Sequence, residues 1–116
     1  MSAATDLVDR QIAAFGARDT DAFLSCYAKD VKIRDFDGKV MADGLAGLRE
    51  FYGPIFRDSP QLSMQILHRI AVGDYVIDEE QGSGLNAPGY PSTMHGIAVY
   101  RVRDELIQDV LLLLLT

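Results

Sequence analysis

The stretch "VKIRDFDGKVMADGLAGLREFY", Val31 to Tyr52, changes its hydrophobic period midway. From Val31 the residues alternate apolar and charged (Val31, Lys32, Ile33, Arg34), the period of a half-buried strand. That strand is expected over Val31–Phe36. Asp37-Gly38 is a hairpin turn signal, and Lys39–Ala42 would pair back. From Leu45 to Tyr52 the spacing becomes helical. This helix should end near Gly53-Pro54, because the residue before a proline avoids helical geometry. One residue resists the pattern. The third inward position of the strand is Asp35, a carboxylate aimed at the core. Either it caps the strand or pairs with Arg34 or Lys39 at a solvated turn, or it stands in an apolar pocket as a general base. Apolar surroundings raise a carboxylate's pKa, and a base poised nearer neutrality abstracts protons better.

Working outward, residues 4–17 read as a helix with Leu7, Val8, Ile12 and Phe15 on one face and Ser2 or Thr5 as its cap. Gln11 falls between Leu7 and Phe15, so this face also carries an amide. "RDTDAFLSCYA" reads as a short second helix, N-capped by Asp19 or Thr20, with Phe23, Leu24 and Tyr27 inward. Downstream, the even positions of Leu62–Val72 (Leu, Met, Ile, His, Ile, Val) make one apolar face. Gly73-Asp74 turns the chain into Tyr75–Gly82. "GSGLNAPGYPS", residues 82–92, is too long for a tight turn and is a candidate lid. Thr93–Val102 and Leu106–Leu115 form a last hairpin. Two helices, a short hairpin, a helix and four strands make an α+β fold. The expected form is a cone: a strongly curved antiparallel sheet wrapped over three helices, with a cavity between them.

The 116 residues suit one domain, 1–116, with a real core. With 48% hydrophobic and 24% charged residues the expected class is soluble and globular. A net charge of -6 with no basic run argues against nucleic acid and anionic membranes as partners. Cys26 is the only cysteine, which excludes an intrachain disulfide and a cysteine-rich zinc site. "MSAATDLVDR" has no basic or apolar signal region, and "VLLLLL" is far too short to span a bilayer. The expected compartment is cytoplasmic. His68 and His95 lack metal-ligand spacing, so no metal is expected. With no G-x-S-x-G, P-loop or Rossmann fingerprint, no cofactor is expected either.

The segments "ARDTDAFLSCYAKDVKIRDFDGKVMADGLAGLREFY", "VGDYVIDEE" and "IAVYRVRDELIQDV" carry a family resemblance. The chain resembles the nuclear-transport-factor-2-like (NTF2-like) superfamily, and within it the SnoaL-like and steroid Δ-isomerase-like proteins. Ketosteroid isomerase uses an Asp base with a Tyr and a protonated Asp that hold the oxyanion. The resemblance implies that the base falls on Asp35, within a D-x-x-G context, and two supporting tyrosines on Tyr27 and Tyr52. The oxyanion tyrosine falls on Gln11 and the oxyanion aspartic acid on Ala98. Gln11 retains an amide donor and Ala98 none. Such donors are usually worth ~3–4 kcal/mol each, so efficient ketosteroid isomerisation is not expected.

By the resemblance Ala98 faces the pocket, so Tyr100 on the same strand face is inward too. His95, Ile97 and Val99 then lie on the outer sheet face. His68 reads as a satisfied core histidine. If Glu79 and Gln81 faced inward the pocket would gain a second carboxylate; the preferred reading is that "DEE" at 78–80 is a solvated strand edge. On the last strand Val110, Leu112 and Leu114 face the cavity. Leu111, Leu113 and Leu115 remain outside with Ile97 and Val99, an apolar patch that a homodimer would cover. Three functions stay open. One is cofactor-free proton abstraction beside a carbonyl (isomerase, cyclase or dehydratase type) on a small apolar molecule, with Asp35 as base and Gln11, Tyr27, Tyr52 and Tyr100 positioning the substrate. The others are a binding module without chemistry and a dimeric scaffold. The enzyme reading leads.

Overall fold

The computed structural model describes residues 3–115. In chain order the elements are α1 (Ala3–Ala17), α2 (Thr20–Leu24), β1 (Tyr27–Asp35), β2 (Val40–Asp43), α3 (Gly44–Asp58), β3 (Ser63–Val72), β4 (Tyr75–Ser83), β5 (Met94–Arg103) and β6 (Leu106–Leu115). The strands form one sheet in the order β2-β1-β6-β5-β4-β3, open at both ends. Every neighbouring pair is antiparallel except β1 and β6, which run parallel. The fold is therefore α+β, with the helices against the inner face of a curved, unclosed sheet. Among the described residues no helix is long and apolar enough to cross a membrane.

Several elements differ from their expected bounds for physical reasons. Thr5 lies inside the first turn of α1, not ahead of it; Ser2 lies outside the described residues. Asp19 caps α2, its Oδ1 accepting from the Ala22 amide at 3.1 Å. Tyr27 is buried as expected, but it opens β1 and does not end α2. Helix α3 runs past Pro54 to Asp58. The clash that usually bars helical geometry before a proline involves the preceding Cβ, and Gly53 has none. Phe56, only 4% exposed, anchors the extra turn in the core.

β3 changes face halfway. Ile66 pairs with Glu80 and His68 with Glu79, so Leu67 is an inserted residue, a β-bulge. Met64 and Ile66 keep the expected inward parity. Beyond the bulge it inverts: Arg69 turns inward, while Ile70 and Val72 are 58% and 63% exposed. His68 is accordingly on the outer face, not in the core.

The close approach of β5 to β6 depends on one glycine. A Cβ at Gly96 would stand 2.2 Å from the Leu113 carbonyl oxygen of β6, so only glycine allows that approach. Under the sheet, Phe23 of α2 lies 4.8 Å from Tyr52 and 5.2 Å from Phe56 of α3, ring centre to ring centre. This aromatic block closes one end of the core and leaves a hollow between α1, α3 and the sheet.

Candidate functional site

The hollow is a cavity of about 100 Å³. Its walls are apolar: Ile12 and Phe15 of α1, Phe51 and Ile55 of α3, Leu112 and Leu114 of β6. Leu85 and Tyr90 of the 84–93 loop border its opening. Its polar lining includes Gln11, Tyr27, Tyr52, Glu80 and Tyr100, with Ser83 and Tyr90 besides.

The alternation of β4 places Glu80. Val76, Asp78 and Glu80 are buried and share the inner face. Across the ladder Glu80 stands opposite Gly96, whose missing side chain leaves it room. Tyr100, also inward, donates to Glu80 Oε2 at 2.7 Å. Burial is the main influence on this carboxyl and pushes its pKa up to about 7. The Tyr100 hydrogen bond opposes that shift, Asp78 reinforces it, and the Arg69 charge counters it. Burial also drives the Tyr100 and Tyr27 hydroxyls well above the ordinary tyrosine value, so both are neutral donors at physiological pH.

The other polar groups form a second link. Tyr27 donates to Gln11 Oε1 at 2.8 Å, and Gln11 Nε2 donates to the Val8 carbonyl at 3.3 Å. One N–H and the oxygen of the amide are thus engaged within the protein. The Tyr52 hydroxyl has no hydrogen-bond partner among the described residues and lines the cavity, which makes it a free donor there.

Asp78, fully buried, is held by Arg69 through a fork, Nε to Oδ1 at 2.7 Å and Nη2 to Oδ2 at 2.9 Å. Arg69 Nη1 also donates to Asp9 of α1 at 2.6 Å. The bulge that turns Arg69 inward therefore supplies the counter-charge for Asp78.

Of the residues expected at the site, Gln11, Tyr27, Tyr52 and Tyr100 line the cavity. Ala98 is fully buried on the same strand face but does not line it. Asp35 does not line it either. The residue does lie opposite Leu112, a cavity residue, across the β1–β6 pair. Its Oδ1, however, accepts the Asp37 and Lys39 amides, each at 2.9 Å, and closes the β1–β2 turn. The turn's unpaired amides draw the carboxylate away from the pocket.

The reading of "DEE" as a solvated edge needs correction. Asp78 and Glu80 are buried, and Glu80 is the cavity carboxylate. Only Glu79 faces outward. There, on the outer face, His68 Nδ1 lies 2.7 Å from its Oε1 and His95 Nε2 lies 2.6 Å from its Oε2. A sequence signal for Glu80 existed: Val76, Asp78, Glu80 and Gly82 share a parity, and Arg69 offers the matching charge. The bulge in β3 hid the match.

Residues 8–110 match the SnoaL-like domain family, and the chain belongs to it, within the NTF2-like superfamily. No curated protein matches the sequence. Among solved structures, an uncharacterised cystatin-fold protein from Novosphingobium aromaticivorans is 26% identical, with a TM-score of 0.84 over 97% of this chain and 98% of that one. A computationally designed 17-OHP binder is 17% identical, with a TM-score of 0.81 over 97% and 93%. A protein with a ketosteroid isomerase-like fold from Catenulispora acidiphila, in complex with trimethylamine, is 18% identical, with a TM-score of 0.74 over 92% and 83%. The last two likenesses are of fold alone.

Proposed function

We propose that this SnoaL-like protein binds a small, largely apolar carbonyl compound in its cavity and moves a proton beside the carbonyl without a cofactor. The observation that carries this reading is Glu80. It is a buried carboxyl with a pKa of about 7, facing an apolar cavity and hydrogen-bonded to Tyr100. At neutral pH both its forms are populated, so one group can take a proton from carbon and return it. Tyr52 supplies the free donor for the developing oxyanion. The same geometry serves isomerisation, cyclisation and dehydration. Asp35 is assigned the turn, not the chemistry.

The test is deuterium uptake at the α-carbons of cyclohexanone and 2-cyclohexenone in heavy water, followed by NMR. Catalysed exchange is expected, and Glu80→Gln should lower it by about 10²- to 10⁴-fold, the usual contribution of a positioned acid–base group. Asp35→Asn should leave it within about twofold, because that carboxylate is already engaged by two amides. Loss of exchange in Asp35→Asn with retention in Glu80→Gln would move the base to the rim. Binding without exchange in the parent protein would favour a binding module, a reading consistent with Gln11 and Ala98 at the two expected oxyanion positions.

The reading includes a homodimer through the outer sheet face. Ile97, Val99, Leu111, Leu113 and Leu115 share that face with Ile70, Val72 and Tyr75, and Leu111 and Leu115 are 39% and 48% exposed. An apolar patch of this extent is uncommon on a monomer. Leu113→Glu should shift sedimentation from two-chain to one-chain mass while leaving ligand binding unchanged. A one-chain mass for the parent protein at micromolar concentration would remove the dimer.

A further inference from the structure

Tyr90 borders more than one hollow. A second hollow, about 160 Å³, lies between the C-terminal half of α3 and the 84–93 loop. The two hollows share Phe51, Ile55 and Tyr90 as lining residues. Pro54, Ala87 and Pro88 complete the outer one, with Asp58 and Asn86 as its polar residues. Tyr90, 40% exposed, lines both the inner cavity and the outer groove.

The groove is pre-formed. Asn86 is pinned to the end of α3 by three contacts: its amide donates to Ser59 Oγ at 2.9 Å, its Nδ2 donates to the Asp58 carbonyl at 3.0 Å, and Ser59 Oγ donates to its carbonyl at 3.5 Å. Ser59 itself is fully buried. At the loop's base, a Cβ on Gly84 would stand 2.1 Å from the Gln61 carbonyl oxygen, so the loop sits directly on the β3 approach. The Leu85 amide donates to the Ser92 carbonyl at 3.1 Å and draws the loop's ends together. The segment that sequence marks as a candidate lid is thus tied down at its base and at Asn86.

The polar groups beside the groove leave little for a charged ligand. The Asp58 carboxylate is already forked by Arg57 at 3.0 Å, and one N–H of the Asn86 side-chain amide is engaged by the Asp58 carbonyl. What remains is apolar ring and side-chain surface that the groove shares with the cavity at Phe51, Ile55 and Tyr90.

We propose that the ligand has two parts, a carbonyl head held in the cavity and an alkyl or aryl arm laid across Tyr90 into this groove. This deepens the ligand-site reading given above and rests on it. Specificity among carbonyl compounds then depends on the arm, because the inner cavity alone holds only a small head.

The test uses 4-alkylcyclohexanones carrying methyl, propyl, pentyl and heptyl chains, with affinities from titration calorimetry. Each methylene buried in the groove should tighten binding about three- to fourfold, so the heptyl compound should bind at least tenfold tighter than the methyl. Ala87→Trp fills the groove and should erase that gain while leaving the methyl compound within twofold. Pro54→Glu, at an exposed helix position, should reduce the gain without touching the cavity. Circular dichroism checks that both variants are folded. Affinity that stays flat with chain length, or a gain that survives both variants, overturns the arm. Failure of every compound to bind at millimolar concentration removes the ligand-site reading itself, and the arm with it.

Discussion

Glu79 and Glu80 are neighbours on β4, yet they live in different solvents. Glu80 faces the cavity, 7% exposed, and burial raises its pKa to about 7. Glu79 faces outward between two imidazoles, and the hydrogen bond from His68, with that from His95 next, holds its pKa below the ordinary glutamate value. One peptide unit separates a group fitted to carry protons from a group that stays ionised. Composition cannot produce that difference; the side of the sheet does. The same contrast separates Asp78, buried and paired, from Asp35, which spends its charge on a turn.

The largest effect on this contrast should come from the counter-charge behind it. Arg69→Met leaves Asp78 buried and unpaired, and breaking a buried pair from one side costs ~3–5 kcal/mol. Urea denaturation at pH 7 should show that loss. Replacing both partners, Arg69→Met with Asp78→Leu, should recover most of it, because the desolvation of two charges also disappears. A single variant as stable as the parent would mean that the inner face is wetter than its burial implies.

A smaller effect follows from Glu80 itself. Its folded pKa lies above the unfolded value near 4.5, so between those values the folded chain holds a proton that the unfolded chain has released. Stability is therefore full below about pH 4.5 and falls as pH rises towards 7. The loss should be on the order of 3 kcal/mol. Glu80→Gln should flatten this part of the pH–stability curve. A slope that survives the substitution would assign it to other groups.

How much of this could be read from residues alone varies with the element. The element order was legible because period and turn residues agree there, whereas the β5 faces and the Tyr27 and Tyr52 positions came from the family resemblance. Gln11 follows from helical phase that nothing interrupts, and Tyr100 from strand phase once Ala98 is placed; Tyr27 is inward although it stands on β1 and not on the expected helix. Two local events broke the reading elsewhere. The inserted Leu67 inverts the second half of β3, so Arg69 moves inside and His68 outside. That inversion also determines which of the "DEE" carboxylates has a buried partner. Asp35 fails for another reason. Its parity is inward, but parity fixes the Cβ direction only, and a short carboxylate can still turn to nearby amides. Gly53 hides the continuation of α3, since glycine before proline is a rare exemption from a sound rule.

The smallest expected effect tests the outer half of the contrast. Glu79 has a lowered pKa, so its contribution is present above the unfolded glutamate value and lost as pH falls through the folded one, the reverse of Glu80. Its partners are exposed, with His68 at 84% and His95 at 46% of their side-chain surface. Exposed pairs contribute little and are screened by salt. Glu79→Gln should therefore change the urea midpoint only slightly at low ionic strength and not at all in 0.5 M salt. Subtracting each variant's pH–stability curve from the parent's should give two difference curves of opposite slope. Curves of the same sign would break the comparison. An effect of Glu79→Gln that persists in high salt would place these imidazoles out of solvent. A second chain laid over the outer sheet face would do that, and the effect should then vanish together with the dimer in Leu113→Glu.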